Sequence, residues 1–173
     1  MKIEFKTFKG KKYYEFNDDR IICSYSVLFN RILISTGFFR ILNNDEARFM
    51  FAHEERHQQD RNFYLFIFSY VAINLILTFL ISLIIFFLKE YFELLIIFLL
   101  LTIISLIIFI IFIRLMEYRA DMYASKKVDY KHFITAMRKI KNAKYSYFEK
   151  IFIKFMHPSF ENRLEKLLNL KNK

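Results

Sequence analysis

Two stretches without a charged residue, Phe63 to Leu88 and Leu94 to Ile113, constrain this chain more than anything else in it. They run for 26 and 20 positions, about 39 Å and about 30 Å at the rise of an α-helix. Either spans a hydrocarbon core of about 30 Å. Leu, Ile and Phe recur on every side of both, so neither offers water the polar face that a helix of a soluble bundle needs. Only KEYFE, Lys89 to Glu93, lies between them. The expectation is a transmembrane hairpin with spans at 63–88 and 94–113 and a loop at 89–93.

About 60 charge-rich residues precede the first run and no small-residue cleavage site follows it, so it does not read as a signal peptide. The short loop holds one Lys and two Glu, a net of −1, so against the chain's +10 the flanking parts carry +11. Positive flanks stay in the cytoplasm, which predicts a multi-pass protein of the plasma membrane with both termini cytoplasmic. The parts before and after the hairpin then share one compartment and can build one domain. A single Cys23 agrees with a reducing compartment. No nucleic-acid reading motif accompanies the basic charge, and anionic lipid headgroups account for it more simply. The lipid bilayer is an expected partner; nucleic acid is not.

The flanking parts read as strands first and helices later. Residues 2–36 carry β-branched and aromatic runs broken at Gly10-Lys11-Lys12, at Asn17-Asp18-Asp19 and at Asn30, which predicts three or four short strands in hairpins. From Asn43, with Glu46 three positions on as in a capping box, a helix begins that no Pro or Gly interrupts before Leu88. This predicts an α+β membrane protein in three parts. Residues 1–62 hold the strands and the first helix, 63–113 the hairpin, and 114–173 further helices, with the first helix continuing into the membrane.

That helix carries the chemistry. In AHEERHQ, His53 and His57 are four apart and project from one face, with Glu54 at its edge. Two neutral imidazoles in this H-E-x-x-H spacing bind Zn²⁺ at about 2.0 to 2.1 Å, and the intervening Glu can take a proton from a metal-bound water. A catalytic zinc needs a third protein ligand. His57 lies six residues before the first span and Glu117 four after the second, so a hairpin brings them to similar depth. Glu117 and Asp121 share a helix face at i and i+4. Glu117 can ligate the metal while Asp121 orients a ligand histidine; the competing reading pairs both carboxylates with Arg114, Arg119 or Lys126 at the headgroup surface.

Three segments in order, ILISTGFFRILNNDEARFMFAHEERHQQDRN, MEYRADMYASK and HPSFENRLEKL, resemble the HtpX-type membrane zinc metallopeptidases, the family that includes the CAAX prenyl endopeptidases. The resemblance covers the parts on both sides of the hairpin. It implies a zincin-like peptidase domain with one Zn²⁺ per chain held by His53, His57 and Glu117. It further implies Glu54 as catalytic base, Asp121 in support, and a transition-state role for His157 and Arg163. The implied activity is endopeptidase cleavage of membrane or membrane-associated proteins at the cytosolic face. The alternative class is a non-catalytic or signal-relay membrane protein that keeps the peptidase fold.

The chain departs from the family where Glu55 and Arg56 replace small or apolar residues between Glu54 and His57. It departs again where Asn62 stands five positions after His57 in place of an acid, and it lacks the hydrophobic hairpin that longer relatives carry ahead of the catalytic helix. Glu55 and Arg56 point away from the metal face, and Arg56 is placed to pair with Asp60 at i+4. In zinc peptidases of this build an edge strand aligns an extended substrate by main-chain hydrogen bonds. The strand before the catalytic helix, Ile32, Leu33, Ile34 and Ser35, is the candidate. His132 belongs to no motif.

Overall fold

Four short strands form a mixed sheet. β1 (Ile3–Phe8) and β2 (Lys11–Phe16) make a hairpin whose turn uses Lys9 and Gly10 at φ of 50° and 79°, so Lys11 and Lys12 belong to the strand and not to the turn. β3 (Cys23–Ser26) and β4 (Arg31–Ser35) make a second, with Asn30 at φ 52° in its turn. The two do not stack as consecutive hairpins: β4 pairs in parallel with β2, giving the order β1-β2-β4-β3. The structure, a computed structural model, describes residues 3–88, 92–141 and 157–171.

The crossover between β2 and β3 is held by a tight knot. The Asp18 N–H donates to the Thr36 hydroxyl and its carboxylate clasps Arg20, which holds the Asp18 carboxyl down at about 2. The N–H of Gly37 donates to the Asp18 carbonyl at 2.8 Å. A Cβ on Gly37 would sit 2.2 Å from the carbonyl oxygen of Asp19, so only glycine lets the two backbones meet. A short helix not anticipated from the strand-like sequence follows, α1 (Thr36–Ile41), capped by the Ser35 hydroxyl. Its Phe38 is fully buried against the sheet's Ile32 and Ile34.

α2 (Asn44–Gln59) starts at the expected capping box: the Asn43 side chain accepts from the Asp45 and Glu46 amides, and Glu46 accepts from the Asn43 amide at 2.8 Å. Such a cap stabilises a helix start by about 1 kcal/mol. The helix does not run on unbroken. Asp60, at ψ 11°, closes α2, and α3 (Arg61–Leu88) begins at the next residue. At this junction the Asp60 carboxylate bonds Arg56 (2.9 and 2.8 Å), the pair expected at i+4, and it also faces Arg119 at 3.5 Å.

α4 (Phe92–Lys127), α5 (Lys131–Lys141) and α6 (Phe160–Lys171) complete the described elements. The chain divides into two compact units, Met1–Arg61 with Arg114–Lys173, and Asn62–Ile113. In the first, one face of α2 meets the sheet and another meets α5, with Phe49, Phe133, Ala136 and Ala124 fully buried. Phe133 stacks between Phe49 (5.5 Å) and Phe160 (5.7 Å), which ties α2, α5 and α6 together.

The second unit pairs α3 with the first part of α4 in antiparallel fashion. Phe63 meets Phe112, Phe68 meets Phe109, and the Thr78 and Thr102 hydroxyls hydrogen-bond at 2.7 Å. Both helices are long and apolar enough to cross a membrane. Their outward side chains, Phe66, Phe79 and Phe86 among them, are mostly exposed, a surface that suits lipid and not water. Of the expected loop, residues 89–91 lie outside the described residues, while Phe92 and Glu93 already belong to α4.

Candidate metal centre

Three side chains converge in the first unit. α2 presents His53 and His57 one turn apart, and the continuation of α4 past Arg114 presents Glu117. All three are under 10% exposed. The His53 and His57 Nε2 atoms are 3.0 Å apart, His57 Nε2 lies 3.2 Å from Glu117 Oε1, and His53 Nε2 lies 3.5 Å from Glu117 Oε2. Donors on a tetrahedral ion with bonds of 2.0 to 2.1 Å stand about 3.3 Å apart. Glu117 turns its two buried oxygens to the two imidazole nitrogens, a convergence of lone pairs that a cation would satisfy. The N, N, O donor set is also the one zinc takes in His₂Glu sites. These residues fit the metal.

Around them lies a layer of buried charge. His53 Nδ1 is 2.9 Å from Asp121 Oδ1, and Arg163 grips both Asp121 oxygens, Nε to Oδ2 at 2.7 Å and Nη2 to Oδ1 at 2.5 Å. Burial opposes a charge on His53, but hydrogen bonds to Asp121 and Glu117 outweigh it and hold its pKa up at about 10 without metal. Burial likewise opposes charge on Asp121, yet Arg163 and His53 hold its carboxyl below the usual range. Glu117 is held well below the usual range in the same way, against burial, chiefly by His157.

Glu54 is 7% exposed and turns to β3, where its Oε2 accepts the Tyr25 amide at 2.7 Å. His157 is half-exposed, with Nδ1 2.8 Å from Glu117 Oε2. Arg163 is buried, lies 5.1 Å over the Phe133 ring and is 3.5 Å from Glu117. Of the two residues expected together, His157 is half-exposed, while Arg163 is buried on Asp121. The chain belongs to peptidase family M48. The family model matches residues 3–171, nearly the whole length. No curated protein and no solved structure matches the chain.

An M48 peptidase is a metalloprotease by family, and its motif residues lie on the helices that build this cluster. Glu55 and Arg56, which depart from the family between Glu54 and His57, are turned away from it. Glu55 pairs with Lys11 and with Lys127 (2.8 Å), tying β2, α2 and α4 together, and Arg56 is engaged by Asp60. The substrate strand requires correction. Ile32, Leu33, Ile34 and Ser35 form β4, which is flanked by β2 on one side and β3 on the other, and Ile32, Ile34 and Ser35 are buried. No free edge exists there. The edge beside Glu54 is β3, brought outermost because β2 pairs with β4 in parallel. Residue identity carries no sign of the Tyr25 contact, since a backbone amide is common to every position.

Proposed function

We propose that this chain is a membrane-embedded zinc endopeptidase that hydrolyses peptide bonds of membrane or membrane-associated proteins at the cytosolic face. The observation that carries the reading is the buried triangle of His53 Nε2, His57 Nε2 and Glu117, with sides of 3.0 to 3.5 Å. A bound Zn²⁺ supplies Lewis acidity that makes water a nucleophile at neutral pH.

The chain's own residues do the rest. Asp121 accepts the Nδ1 proton of His53, which leaves the Nε2 lone pair free for the metal, and Arg163 keeps Asp121 ionised. Glu54 is the base. With Oε2 held by the Tyr25 amide, its other oxygen takes the proton from the attacking water and returns it to the leaving amine. His157, accessible and beside Glu117, donates to the oxyanion that develops on the substrate carbonyl. An extended substrate adds to the outer edge of β3, so that its scissile bond lies along the strand that holds Glu54. α3 and the first part of α4 form the transmembrane hairpin, and the basic flanks keep both termini in the cytoplasm.

The test is zinc content of detergent-purified protein together with casein or self-cleavage, with and without a chelator. One zinc per chain and cleavage that the chelator abolishes support the proposal; stoichiometric zinc without cleavage points to the relay class. Protein without zinc overturns the metal centre.

A further inference from the structure

The turn between β3 and β4 carries the most exposed pair of large apolar side chains among the described residues of the first unit: Leu28 is 77% exposed and Phe29 70%. Neighbouring apolar side chains of that size seldom stand free in water without a partner. The turn is not loose. Asn30 sits at φ 52° and its side chain accepts from the Tyr25 hydroxyl at 2.8 Å, so the tip is braced by its own strand. Arg31 beside it is exposed and lies 4.4 Å over the Tyr14 ring.

The tip is tied to one place in the chain. Arg61 Nε donates to the Val27 carbonyl at 3.2 Å. Arg61 is the first residue of α3, and the uncharged run starts two positions later at Phe63. The tip therefore lies within one side chain's reach of Arg61, the residue from which α3 runs on. Its charge suits an anionic surface, because no Asp or Glu occurs from Ile21 to Asn44 while Arg31 adjoins the tip and Arg61 bonds to it.

We propose that Leu28 and Phe29 dip into the headgroup–acyl boundary of the bilayer that α3 enters, and so hold the edge strand β3 at the membrane surface. Apolar side chains seated this way penetrate about 5 to 10 Å, with neighbouring cations at the headgroups. The occupant is lipid. A second copy or a protein segment would be an equally apolar cover, but neither explains why the tip is bonded to the residue that opens the apolar helix. The inference rests on reading α3 and α4 as membrane spans. Its consequence is that a substrate lying along β3 is met at the lipid surface.

The chain has no Trp, so a single Phe29→Trp substitution at this exposed position reports on its surroundings. The full-length variant is reconstituted into phosphatidylcholine–phosphatidylglycerol vesicles containing lipids brominated at shallow or deep acyl positions. Ile41→Trp, at a position 41% exposed beyond the far end of α2, is the comparison. Blue-shifted emission quenched more strongly by shallow than by deep bromines, with much weaker quenching for Ile41→Trp, is the expected result. Water-like, unquenched emission of Phe29→Trp in protein that floats with the vesicles overturns tip insertion and leaves the span reading intact. Blue-shifted but unquenched emission means that protein covers the tip and overturns it as well. Protein that fails to float overturns the spans and the tip together.

Discussion

Asp121 lies 2.9 Å from the Nδ1 of His53 while Arg163 holds both of its oxygens, so the orientation of the His53 imidazole depends on a residue 110 positions further along the chain. Asp121→Asn keeps the shape but weakens the acceptor, and should lower zinc affinity about 10- to 100-fold. Arg163→Met leaves a buried carboxylate uncompensated. Removing one partner of such a pair costs about 3 to 5 kcal/mol, so the thermal midpoint and zinc affinity should fall together. A melting curve and a chelator-competition titration on both variants check this, and unchanged melting of Arg163→Met would return that arginine to a transition-state role.

Glu54 faces Tyr25 and contributes no atom to the donor triangle. Glu54→Gln should therefore retain zinc and lose proteolysis, since the proton acceptor is gone while the donors are intact. His53→Ala and Glu117→Ala should lose the metal. Metal analysis and casein cleavage on the three variants separate the roles; equal cleavage by Glu54→Gln and the parent would refute the assignment.

His157 is half-exposed, unlike Arg163, and its removal opens no core. His157→Phe should lower the turnover number by about 10² to 10³ with zinc content and melting nearly unchanged, the size of effect seen when one oxyanion donor is removed. Loss of zinc along with turnover would mark His157 as structural.

Without metal, His53 holds its proton up to about pH 10, above its ordinary 6.5. That proton stabilises the metal-free fold fully below about pH 6.5, and its contribution is lost as pH rises towards 10. Zinc must displace it. Zinc affinity should accordingly rise roughly tenfold per pH unit for one proton released, measured by competition titration at several values between pH 6 and 8. A flat profile would show that His53 is already deprotonated.

Gly37 touches the Asp19 and Arg20 carbonyls where a Cβ would stand at 2.2 to 2.6 Å. Gly37→Ala forces two backbone segments apart and should destabilise the first unit by at least about 1 to 3 kcal/mol, the usual cost of overpacking. The melting midpoint falls accordingly; an unchanged midpoint would mean that the crossover yields freely.

Local spacing made much of this protein legible. A period of 3.6 residues places His53 and His57 on one face whatever surrounds them, the Asn43–Glu46 box starts its helix through short-range bonds, and uncharged runs of 26 and 20 residues demand long apolar helices. Tertiary contacts decided the rest. Which strand became the edge depended on β2 choosing β4 as a parallel partner, and period-2 alternation says nothing about pairing order. Asp60 ends α2 in the folded chain, although nothing in its neighbourhood breaks a helix by composition. Arg163 went to Asp121 and not to an open cleft because a buried carboxylate demands a buried cation, and only the folded chain brings the two together.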